Sequence, residues 1–238
     1  MLQNIKELYG RSLAALDGDI GHVKDFYFDD KAWVIRYVVV DTGSWMTGRL
    51  VLLAPHAFAS ADHFGDVLQV KLLKRQIENG PSIAAHETVS RQFDEQYYRS
   101  YGWPVFWQGG RMWGMTGDPL LLSPQPADIA VRQAREPSGD RHLQSTKELT
   151  GYPVQAADGP IGHVADFRVN ARSWSVNGLV VETGHWFSGR QILVSPGRIE
   201  NISPAEKKVF VKQTKADIER TGAGDLATAG DETGGSAA

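Results

Sequence analysis

The sequence predicts a mainly β protein: two copies of one small β-barrel, joined by a helix-containing, aromatic-rich segment. Three observations lead there. First, aligning Asp17 with Asp158 sets an offset of 158 − 17 = 141, and at that offset residues 6–77 match residues 147–218 without a gap, with 27 identities in 72 positions. Second, each copy holds short β-branched and aromatic runs punctuated by Gly, Asp and Pro, the pattern of a small sandwich or barrel. Third, the stretch between the copies changes character and concentrates Trp103, Phe106, Trp107 and Trp113 among glycine and proline. The repeat is far longer than the roughly 20–50 residues of a solenoid, so the duplicated unit is a small domain. The expected boundaries are 1–80 for the first barrel, 81–140 for the connecting segment, 141–221 for the second barrel and 222–238 for a tail of disordered composition.

Each unit opens with a helical turn. Asn4 with Glu7, and Ser145 with Glu148, have capping-box spacing, and Gly10 and Gly151 stand where a C-terminal glycine is expected. The apolar run "SLAAL" then leads into the Asp17–Gly18 turn, a hairpin signal. A strand is expected over 20–28, polar residues over 29–31, and the strongest strand of the unit over 33–40, "WVIRYVVV". The loop "TGSWMTGR" (42–49) follows, matched by "TGHWFSGR" (183–190). Strands over 50–55 and 66–72 complete the set, and "KLLKRQIENGP" and "KQTKADIER" each predict a helical turn after the last strand. A closed barrel leaves no unpaired edge, which suits so small a unit. In the connecting segment, residues 89–102 read as a helix with Phe93, Tyr97 and Tyr101 on one face. The tryptophans that follow are expected to pack on the barrels or on another copy of the chain, since a free linker does not carry so many large aromatics.

The ordered set "DG-x-IG-x-V-x-DF", a hydrophobic strand, then "TG…GR…P" resembles the PRC-barrel family. That small β-barrel is found in the cytoplasmic part of the photosynthetic reaction-centre H subunit and in a ribosome-maturation factor. The resemblance covers both units, and the middle resembles stretches of bacterial tandem PRC-barrel proteins of uncharacterised function. It implies that Gly18, Gly21 and Asp25, with Gly159, Gly162 and Asp166, are fold-signature positions. It also implies a scaffold or docking role, with no catalytic signature.

Composition narrows the function classes. Lys plus Arg number 25 against 28 Asp plus Glu, a net charge of −3, which argues against a protein whose main task is wrapping nucleic acid while leaving room for a local basic patch. The chain has no cysteine, so disulfides, thiolate metal sites and cysteine nucleophiles are excluded. No stretch has the length of a membrane-spanning apolar helix, and "MLQNIKELYG" lacks the pattern of a signal peptide, so a cytoplasmic setting is expected.

Candidate sites are weighed against structural roles. His22 with Asp25, and His163 with Asp166, suggest a ligand pair, but residues i and i+3 of a regular strand face opposite ways. The aspartates are expected to accept backbone hydrogen bonds near the turn. The remaining histidines, His56, His63, His86, His142 and His185, show no ligand spacing. The Gly-x-Trp-x-x-Gly-Arg loop is not a phosphate loop, because a strand rather than a helix follows it. Trp45, Arg49, Trp186 and Arg190 from the loops, with Trp103, Trp107 and Trp113, are the interface candidates, being residue types that anchor protein contacts. No catalytic, cofactor-binding or metal residues are assigned. The leading expectation is a non-enzymatic scaffold of two PRC barrels, a homo-oligomer with an unidentified protein partner. The alternatives are a small-ligand-binding protein or enzyme with a site between the barrels, and an RNA- or ribosome-assembly-associated protein. The Ser44/His185 difference is the first place to look for a division of labour between the halves.

Overall fold

The computed structural model describes residues 2–46, 48–59, 67–80, 142–184 and 189–225. The chain is mainly β and forms two sheets. The first repeat contributes β2 (Ser12–Ala15), β3 (Gly18–Asp29), β4 (Val34–Asp41), β5 (Leu50–Leu53) and β6 (Val67–Gln69), in the order β5-β4-β3-β2-β6. The second contributes β8 (Pro153–Ala156), β9 (Gly159–Asn170), β10 (Val176–Thr183), β11 (Gln191–Val194), β12 (Ile199–Ser203) and β13 (Lys208–Val211), in the order β11-β10-β9-β8-β13-β12. Neighbours are antiparallel except β2 with β6 and β8 with β13, which run parallel.

Two strands that the periodicity does not announce join the repeats. β1 (Leu2–Asn4) precedes the first repeat yet pairs with β9 of the second, Gln3 opposite Val169. β7 (Leu143–Ser145) precedes the second repeat yet pairs with β3 of the first, Gln144 opposite Phe28. Each runs directly into the opening helical turn that the capping spacing predicts: a 3-10 turn over Ile5–Leu8 after Asn4 and the short helix α2 (Thr146–Leu149) after Ser145. The other helices are α1 (Lys74–Glu78) and α3 (Lys215–Asp225). α3 carries regular structure into the expected tail; residues 226–238 lie outside the described residues, as do 81–141.

Among the described residues neither sheet closes into a continuous hydrogen-bonded barrel. In the second sheet the two end strands β11 and β12 are consecutive in the chain, joined by the 3-10 turn Pro196–Arg198, and they are not paired with each other. In the first sheet a bridge between Phe58, just past β5, and Val70, just past β6, ties the two ends together. The long strands β3 and β9 carry β-bulges against β4 and β10, where one strand has an extra residue. In β3 the extra residue opposite β4 is Lys24, and buried side chains fall at Ile20, Val23, Phe26 and Phe28 rather than in strict alternation.

One continuous hydrophobic core runs through both sheets. Phe28 of the first repeat meets Phe167 of the second edge-on, ring centroids 5.5 Å apart, and Phe58 meets Trp174 at 5.0 Å. Burying each such ring stabilises the fold by about 1.5–3 kcal/mol, and here that energy is shared between repeats.

Candidate functional site: the seam between the repeats

The polar residues with the most convergent partners lie along the line where the repeats meet. The seam has an approximate two-fold relation. Ile35 donates its N–H to the Trp174 carbonyl at 2.8 Å, and Val176, its counterpart 141 positions on, donates to the Trp33 carbonyl at 2.7 Å. Both tryptophans adopt the left-handed conformation, φ 53° and 56°. Bulky residues avoid that region at a cost of order 1–3 kcal/mol. The conformation turns each carbonyl toward the other repeat, where it is bonded.

Asp25 lies at one end of the seam. Its carboxylate accepts from the Ser145 hydroxyl at 2.5 Å, the Thr146 hydroxyl at 3.1 Å, the Lys147 N–H at 3.0 Å and its own neighbour, the Phe26 N–H, at 2.7 Å. It thus supplies an acceptor for the otherwise unpaired first turn of α2, whose N-cap is Ser145, itself accepting from Glu148 N–H at 2.9 Å. The Tyr9 hydroxyl reaches Thr146 Oγ1 at 2.9 Å. The single Thr146 proton is directed at Asp25 and the Phe26 carbonyl, so Tyr9 is the donor. Burial pushes the Asp25 carboxyl above the ordinary aspartate range, against the pull of these hydrogen bonds. Burial also raises the Tyr9 phenol, keeping it protonated.

Asp166 occupies the matching position at the other end. It accepts from Lys6 N–H at 3.1 Å and Phe167 N–H at 2.8 Å. Burial raises this carboxyl too. The two ends are unequal because Asn4 and Ile5 stand where Ser145 and Thr146 stand, removing both hydroxyl donors. The further ties differ: on the Asp25 side Asp30 accepts from Gln144 Nε2 at 3.0 Å and lies 3.0 Å from His142 Nδ1, whereas on the Asp166 side Arg168 donates to Asn4 Oδ1 at 3.0 Å. The counterpart of Asp30 in the second repeat is Ala171, and the buried side-chain oxygen of Gln3, the counterpart of Gln144, has no hydrogen-bond partner.

The aspartates do accept backbone hydrogen bonds, as expected, but the decisive ones come from the other repeat, not from the nearby turn. The turn is held by a different residue: Asp17 accepts from Lys74 N–H at 2.8 Å and Asp158 from Lys215 N–H at 2.9 Å, capping α1 and α3. Gly18 and Gly159 follow them at positive φ, 133° and 139°. Gly21 and Gly162 sit against the Asp41 and Glu182 carbonyls, where any Cβ would overlap the neighbouring strand. The bulge at Lys24 breaks the strict alternation assumed for His22 and Asp25; His22 is exposed while Asp25 turns into the seam. His163 is likewise exposed, 3.8 Å from Glu182. Among the described residues no three His, Asp or Glu side chains are grouped to hold a metal ion.

The Gly-Trp loop is a hairpin between β4 and β5. Thr42 donates its hydroxyl to the Arg49 carbonyl at 2.7 Å, and Thr183 does the same to Arg190. Trp45 is partly buried against the core of its own repeat, with Lys74 Nζ over its ring at 5.1 Å. Arg49 reaches the Gly80 carbonyl at 3.1 Å and the Glu78 carbonyl at 3.4 Å, capping the end of α1. Arg190 is exposed. Trp186, Trp103, Trp107 and Trp113, with His63, His86 and His185, lie outside the described residues.

Sequence reasoning missed β1 and β7. The signal was present just outside the aligned window: Leu2 and Gln3 recur as Leu143 and Gln144 at the same offset of 141. In comparison with known proteins, no family model matches the chain and no curated protein matches it significantly.

Proposed function

We propose that the chain is a non-enzymatic protein-interaction scaffold built from two PRC-type barrels. One observation carries the reading: the Asp and Thr side chains kept in both repeats and hydrogen-bonded within the fold are committed to architecture. Asp17 and Asp158 cap helices, Asp25 and Asp166 clamp the seam, and Thr42 and Thr183 close the loops. An enzyme keeps its reactive groups available to a substrate; these are consumed by internal partners. The barrel reading is supported by the bridge between Phe58 and Val70, which ties the two ends of the first sheet, and the PRC reading by the repeated glycine and aspartate positions.

The test is cross-linked purification of the tagged chain from its own cells after nuclease treatment, then reconstitution of each captured protein from purified components. A stoichiometric complex measurable by calorimetry supports the scaffold. A tightly retained small molecule in native mass spectrometry, with no reconstituted protein complex, overturns it.

A further inference from the structure

We propose that the outer face of β13 binds single-stranded nucleic acid, a property that goes beyond the scaffold reading and does not depend on it. Val209 and Val211 point into the core, so the alternation of the strand places Lys208 and Phe210 on the opposite face, and the exposed Lys212 follows just past the strand end, its Nζ donating to the Gly197 carbonyl at 3.2 Å. Lys208 and Lys212 are exposed and Phe210 is partly exposed. The two lysines stand about 13 Å apart along the strand, one on either side of the ring.

What flanks the ring gives the face its chemistry. Asn201 of β12 is the register partner of Phe210 on one side, and Gln155 of β8 is its partner on the other. An aromatic face set between two amides, with a cation beyond each end, offers stacking, hydrogen bonds to a base edge and phosphate contacts together. Stacking on aromatics with lysines tracking the backbone is how sequence-tolerant single-strand binders work. An acidic peptide would use the lysines but leave the ring and the amides without a role.

The face belongs to the second repeat alone. At the same offset, Val67 replaces Lys208, Gln69 replaces Phe210 and Ala14 replaces Gln155; only Lys71 matches Lys212. The shared residues maintain the architecture, so a feature confined to one copy is where a separate task is expected. The net charge of −3 is compatible with this, because binding requires a local cationic strip rather than a basic protein.

The test is fluorescence anisotropy of the full chain with a labelled oligouridine and the matching single-stranded DNA, titrated over a range of salt. Association at low salt is expected, weakening linearly in log–log form. Phe210→Ala is expected to lower affinity about tenfold or more, and Phe210→Trp to preserve it, which separates stacking from damage to the fold. Replacing Lys208 and Lys212 together by Gln is expected to reduce the salt slope by about 1.4. No association at low salt, or association that Phe210→Ala leaves unchanged, overturns the proposal. So does polyglutamate competing as well as the oligonucleotide while Phe210→Ala has no effect, which would reassign the strip to acidic proteins.

Discussion

The backbone N–H of Lys147 lies 3.0 Å from the Asp25 carboxylate, so the first turn of the second repeat is capped by a residue of the first. Lys6 and Asp166, their counterparts, make the reciprocal bond at 3.1 Å. Neither repeat completes its own opening turn. A hydrogen bond contributes about 0.5–1.5 kcal/mol, so each clamp ties the stability of one repeat to the presence of the other.

The clamps are unequal, and mutation should show it. Asp25→Ala strands the Ser145 hydroxyl and two N–H groups and leaves the Thr146 hydroxyl only the Phe26 carbonyl, whereas Asp166→Ala strands two N–H groups only. Urea denaturation should give a loss of about 3 kcal/mol or more for Asp25→Ala and a smaller one, about 1–2 kcal/mol, for Asp166→Ala. Equal losses would contradict the hydrogen-bond assignment.

Asp25 should also impose a pH dependence. Burial raises its carboxyl in the folded chain, so the folded state holds the proton more tightly than the unfolded state. The resulting stabilisation is fully present below the unfolded value of about 4 and is lost as pH rises through the higher folded value. Thermal midpoints of the wild type and Asp25→Asn, followed from pH ~3 upward, should therefore diverge in slope, with the wild type losing more. Parallel curves would show that the group titrates normally.

Gly21 and Gly10 both have positive φ but should respond differently to alanine. A Cβ at Gly21 (φ 127°) overlaps the Asp41 carbonyl, whereas one at Gly10 (φ 76°) meets nothing within 4 Å. Gly10→Ala should cost about 1 kcal/mol from conformation alone. Gly21→Ala should cost about 3 kcal/mol or more, because β3 must separate from β4 as well. Chemical denaturation of the two variants decides the matter; Gly21→Ala as mild as Gly10→Ala would refute the close approach.

The strand exchange can be locked covalently, since the chain has no cysteine to interfere. Asn4 and Arg168 are register partners between β1 and β9 and their side chains are hydrogen-bonded at 3.0 Å. The double variant Asn4→Cys, Arg168→Cys should oxidise within one chain at low concentration and raise the thermal midpoint by closing a long loop. Oxidation only to a covalent dimer would mean that β1 pairs with a different copy of the chain.

Much of the fold was legible because local rules and tertiary packing agree. The β-branched run now assigned to β4, the Asp17–Gly18 turn and the helical turns after the last strands all form near their expected positions. The Ser145–Glu148 cap forms with Ser145 as acceptor. The site was less legible. Asp25 was identifiable as a signature position, but its partners are Ser145, Thr146 and Lys147, roughly half the chain away. Nothing in the local pattern of three-residue strands such as Leu2–Asn4 reveals which sheet they extend, because so short a segment carries too little periodicity.

By itself, then, the sequence determined the duplication, the mainly β class and the positions that must be glycine or a cap, because these follow from spacing and backbone geometry within each unit. The tertiary structure alone decided where each unit ends. Opening strands cross to the opposite sheet since the edges of β3 and β9, and the unpaired N–H groups beside them, find their complements only in the other repeat. That choice depends on contacts between residues far apart in the chain, and such contacts exist only once both sheets have formed.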